Sequence, residues 1–136
     1  MSQKAMKEFL FPPNLEDTQY RVFPEELEQD ELVLFHGTAF ENLASINENG
    51  FRLPDPNGDN PLRGVSFARH SALALSHAMT QRNTHPGDYC ILAVRYPSFD
   101  FPHICLDGLD IVHDYQLVPQ PERVGFCIVP ASYQFI

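Results

Sequence analysis

The order of elements along the chain predicts an α+β fold built on a mixed or mostly antiparallel sheet with two short helices. Helical patterns come early, strand-like apolar runs cluster late, and no β-α-β unit repeats along the 136 residues. Five or six strands are expected.

Residues 1–30 are acidic and punctuated by Pro12, Pro13 and Pro24, which marks an irregular lead-in, with the domain proper over 31–136. The run 32–35, Leu-Val-Leu-Phe, has the length and residue types of a core strand. His36 and Gly37 follow it, and Thr38 with Glu41 forms the Thr-x-x-Glu pattern of a capping box, closed by Gly50 as a helix stop. His36 is therefore expected at a strand end beside a helix N-terminus, where unpaired N–H groups and a bare glycine backbone favour a ligand.

Residues 54–63 combine prolines, Gly58, aspartates and asparagines and read as a surface loop. Residues 64–68, Gly-Val-Ser-Phe-Ala, form a short strand, and 71–80 place Ala72, Leu75, Ala78 and Met79 on one helical face. Ser71 is also the expected N-cap of that helix. The clearest later strand is 89–96, followed by a connection through Phe99, Phe101 and Pro102. Strands over 115–118 and 126–129, separated by Pro-Gln-Pro-Glu-Arg, complete the set.

Bulk properties narrow the function. The chain has 43% hydrophobic residues and no apolar run near the roughly 20 residues of a membrane-spanning helix, so no membrane partner is expected. The N-terminal apolar patch is too short for a secretory core, and a cytoplasmic location is the expectation. A net charge of −9 opposes non-specific attraction to nucleic acid, which depends on basic residues neutralising phosphate. Cys90, Cys105 and Cys127 are odd in number and widely spaced, reading as thiols rather than a disulfide framework. His70 and His77 share a helix face without a third ligand, and no metal is expected. Neither a Gly-rich phosphate loop nor a Gly-x-Ser-x-Gly elbow occurs.

The order Phe35-His36-Gly37-Thr38, a helix carrying Ile46 and a closing Gly50-Phe51, Gly64-Val65-Ser66-Phe67-Ala68, a Ser71-Ala72 helix and a final Pro121-Glu122-Arg123-Val124 resembles the ADP-ribosyltransferase superfamily. Within it, the chain is similar to a minimal poly(ADP-ribose) polymerase catalytic domain. The resemblance implies a split sheet and NAD as the substrate. It gives His36 a hydrogen bond to the nicotinamide-side ribose, Gly37 a backbone contact to the carboxamide, Ser71 a second bond to that carboxamide, and Thr38 a place near the adenosine half. Ser66 stands where the family has a stacking tyrosine, which leaves Phe67 or a loop residue to stack.

The family's third signature residue is a glutamate, and alignment backward from Pro121 puts Tyr115 there. A register one residue either way substitutes Asp114 or Gln116, and a carboxylate at Asp114 would steady positive charge on the ribose. The resemblance thus implies an NAD-dependent glycosyltransferase: a mono-ADP-ribosyltransferase that moves one ADP-ribose to a protein, nucleic-acid or small-molecule acceptor and releases nicotinamide. The alternatives are a catalytically impaired module that binds NAD or ADP-ribose, and an RNA 2′-phosphotransferase-like enzyme, which nine Lys and Arg in total disfavour.

Overall fold

The computed structural model describes residues 6–53 and 64–133, so the loop expected over 54–63 lies outside the described residues. Its architecture is α+β around one mixed sheet of seven strands. In chain order the elements are β1 (Lys7–Glu8), α1 (Glu25–Glu28), β2 (Val33–Ala39), a 3₁₀ turn (Phe40–Asn42), α2 (Leu43–Asn49), β3 (Val65–Ala68), α3 (Ser71–Thr84), β4 (Tyr89–Arg95), β5 (Ile104–Asp107), β6 (Ile111–Asp114) and β7 (Glu122–Val129). The strands lie in the order β1-β7-β4-β2-β3-β6-β5, with β1 parallel to β7 and the other neighbours antiparallel.

Side chains on successive strand residues point to opposite faces, and this sorts the core into two layers. Phe35, Ala68 and Ala93 pack with Ala74, Leu75, Ala78 and Met79 of α3. Leu34, Phe67, Leu92 and Val112 pack on the other face with Phe51 and Tyr96, against which Ile46 of α2 rests. Strand β4 is buried on both faces from Tyr89 to Val94, which is why its sequence is an unbroken apolar run. Residues 6–30 form only a two-residue strand and a four-residue helix, yet send Leu15, Val22, Phe23 and Leu27 into the core beneath α3.

Five sequence expectations are corrected, the first being the tally: seven strands and three α-helices stand where five or six strands and two helices were expected. The first strand does not end at His36 but runs through Ala39, paired with β4 along its whole length. Consequently no capping box forms: Ala39 occupies the cap, and the Thr38 hydroxyl instead accepts a bond from Asn42 Nδ2 at 3.0 Å. The segment 115–118 is not a strand, because the Asp114 carboxylate accepts the N–H groups of Gln116 and Leu117 at 3.1 and 2.8 Å and folds the chain into a turn. Finally, the 103–114 region holds a hairpin, β5 and β6, turned at Gly108 with φ +68°. Gly50, with φ +80°, closes α2 as expected.

Gly37 has a packing role beyond a bare backbone. A Cβ there would lie 2.7 Å from the Ala74 carbonyl oxygen and 3.1 Å from Ala78 Cβ, so glycine is what lets α3 lie directly on β2.

Candidate functional site: a notch between two central strands

Strands β2 and β3 are neighbours with one register pair, Phe35 opposite Ala68. Beyond it, the His36 side chain bridges them: its Nδ1 lies 2.8 Å from the Ser66 carbonyl oxygen. A carbonyl only accepts, so Nδ1 carries the proton and donates, which leaves the Nε2 lone pair as an acceptor. The ring is held edge-on by Phe51 and tilted against Phe67, with centroids 5.4 and 5.5 Å away. Strand, carbonyl and two aromatic rings thus fix one imidazole in one tautomer.

A cavity of about 430 Å³ opens at this notch. His36, Gly37 and the stretch from Gly64 to Ala68 form its floor, α2 contributes Ser45 and Ile46, α3 contributes Ala74, His77 and Gln81, and Phe51 and Arg52 stand beside them. The volume falls in the range of small-molecule sites, roughly 300–1,000 Å³. Because His36 follows Leu34 on the α2 face and Ser66 shares the α3 face with Ala68, the cavity meets polar groups from both faces of the sheet.

Of the residues singled out in the sequence, His36, Gly37, Ser66 and Phe67 meet here. Thr38 is buried behind Asn42, which itself lines the cavity. Ser71 is a correction: it is the first residue of α3 rather than its cap, and it is fully buried and outside the cavity lining. There it accepts from Val22 N at 3.0 Å and donates to the Glu28 carboxylate. Burial pushes the Glu28 carboxyl above its usual range, with the Ser71 bonds and Arg21 opposing.

Asp114 and Tyr115 are absent from the cavity lining. Asp114 is fully buried, accepting Tyr96 Oη–H at 2.8 Å in addition to its two backbone donors. Tyr115 is 38% exposed and packs against Gly64. Gln116, just past β6, donates its N–H to Asp114 and is likewise outside the lining. Among the described residues that line the cavity none is a carboxylate. Phe51, His77 and Gln81 were not singled out as site residues, although Ala74, His77 and Gln81 follow the i, i+3, i+7 spacing of one helix face.

Burial holds His36 below the ordinary histidine value of 6.5, the bond to Ser66 opposes this and nearby His77 reinforces it. The unfolded chain therefore takes up the proton first, so the stability that neutral His36 contributes is complete above pH 6.5 and lost as the pH falls below it toward His36's own lower value. Urea unfolding from about pH 7.5 to about pH 5.5 should show a smaller acid-side loss in His36→Gln than in the native chain. A constant separation between the two profiles would contradict this assignment.

The buried thiols of Cys90 and Cys127 are pushed up to about 12 by desolvation and are inert, whereas Cys105 is exposed. Among the described residues, no group of three or more metal-ligating side chains occurs, and no helix is long and apolar enough to cross a membrane. Comparison with protein-family models, with curated proteins and with solved structures gives no match.

Proposed function

We propose that the notch binds NAD and that the domain is an ADP-ribosyltransferase transferring a single ADP-ribose unit with release of nicotinamide. The observation that carries this reading is the neutral His36, fixed through Nδ1 to the Ser66 carbonyl and left with a free lone pair at Nε2, in a cavity sized for a ribose with its planar base. An acceptor nitrogen so placed takes the hydrogen bond of a ribose hydroxyl and holds the sugar while positive charge develops on it, and it needs no reorganisation to do so. Phe51 and Phe67 supply the apolar surface that a planar base requires, and Gly37 brings backbone to the cavity wall.

The lack of a carboxylate among the described lining residues favours slow turnover and single-unit transfer, and it supports a second reading in which the site binds NAD or ADP-ribose without cleaving it. One experiment separates the two. Thermal melting is followed as NAD is titrated to millimolar concentration, and nicotinamide release is measured in the same samples. A ligand of the native state raises the melting temperature with concentration. Stabilisation with nicotinamide release supports the transferase, stabilisation alone supports the binding module, and no stabilisation overturns both.

A further inference from the structure

Strands β3, β6 and β5 lie side by side and each contributes one member of a hydrogen-bonded chain that ends at the cavity. Ser66 is directly opposite His113, and its Oγ lies 2.7 Å from His113 Nδ1. On the far side of the ring, His113 Nε2 lies 3.3 Å from Asp107 Oδ2. The protonation pattern follows from the partners: the carboxylate accepts, so Nε2 carries the hydrogen, and Nδ1 is left as the acceptor for the serine O–H. The imidazole is 14% exposed and Asp107 73% exposed, so the chain runs from the cavity wall through a covered base to solvent. An alcohol, a base within hydrogen-bond reach and a carboxylate that orients the base are the parts of an activated nucleophile.

We propose that Ser66 is itself the acceptor of the ADP-ribose, deprotonated by His113 with Asp107 as the positioning residue. The proposal rests on the NAD reading above and supplies the acceptor that reading leaves open. His36 and Ser66 line the same cavity, and strand alternation puts their side chains on opposite faces of the sheet, so the anchor and the nucleophile reach the cavity from different sides. In the step, the C–N glycosidic bond breaks and nicotinamide leaves with the electron pair, neutralising its ring. A bond forms between Ser66 Oγ and the anomeric carbon, and the hydroxyl proton passes to His113 Nδ1 and then to water. Atoms and charge balance with one NAD consumed, one nicotinamide and one proton released, and one O-linked ADP-ribose left on the protein. No oxyanion forms, so no oxyanion hole is needed.

The test is incubation of the full chain with NAD, followed by intact mass, peptide mapping and nicotinamide release. The expected result is the gain of one ADP-ribose unit on the peptide containing Ser66, with a burst of nicotinamide equal to the protein present. Ser66→Ala should abolish the label, and His113→Gln should slow it by roughly 100-fold, the size of a general-base contribution. Asp107→Asn should slow it less, because its carboxylate is exposed. Mapping on the native chain decides the acceptor even if a variant fails to fold. Nicotinamide released with Ser66 unmodified, or NAD that stabilises without labelling Ser66, overturns this inference and leaves NAD binding standing. Labelling at an undiminished rate in His113→Gln overturns the role of the base. No stabilisation and no nicotinamide removes both the inference and the reading beneath it.

Discussion

Asp114→Ala is expected to lower the unfolding free energy by about 2–4 kcal/mol, since each buried donor left without its acceptor costs roughly 1–3 kcal/mol. The carboxylate is the common acceptor for the Tyr96 hydroxyl and the N–H groups of Gln116 and Leu117, and alanine leaves the buried Tyr96 and Leu117 donors without it. Set against a total stability of roughly 5–15 kcal/mol for a domain, this is a large fraction. Asp114→Asn retains an acceptor oxygen for the turn and should cost less, and Tyr115→Phe, on a half-exposed ring, should cost under about 0.5 kcal/mol. Urea denaturation of the three variants checks the order, and an Asp114→Ala chain as stable as the native one would remove Asp114 from the architecture.

His36→Ala is expected to weaken stabilisation by NAD by about 1–3 kcal/mol, the cost of leaving a buried polar partner unpaired. If the same bond strengthens as the nicotinamide leaves, the corresponding loss of rate is roughly 5- to 150-fold. On the transferase reading the product should be single units, with no ladder of polymer on a gel. Because His36 also joins β2 to β3, melting without ligand must be measured for each variant, and the quantity of interest is the difference that NAD makes. Equal NAD-induced shifts in the native and His36→Ala chains would exclude the histidine as the anchor.

The strands that carry His36 and Ser66 were legible in the sequence, because 32–35 and 64–68 are short apolar runs bounded by turn and cap signals. What helices add was not. His77 and Gln81 reach the notch only because Gly37 lets α3 lie against β2, a fact of packing that the spacing of 71–84 does not contain. Ser71 looked like a cap since serine commonly is one, and the structure gives its hydroxyl to Glu28, far away in sequence. The strand expected over 115–118 failed for a related reason. Tyr, Leu and Val favour strands, but the preceding carboxylate captured the N–H groups that a ladder would have used. His113 and Asp107 went unnoticed because their hairpin is hidden behind a connection rich in proline and phenylalanine, and only pairing with β3 brings them to Ser66.

The single register pair between β2 and β3 has a consequence for how the sheet opens. Strands β1, β7, β4 and β2 form one continuous ladder, with seven register pairs between β2 and β4, while β3, β6 and β5 form a second ladder whose hydrogen-bonded ties to the first include that one pair, the imidazole of His36 and the Tyr96–Asp114 bond. In native-state hydrogen exchange the amides of β4 should report global unfolding, and those of β3 and β6 should exchange together through a cheaper, cooperative opening. A molecule lodged in the notch touches both ladders, so its binding would protect the second group selectively and merge two exchange classes into one.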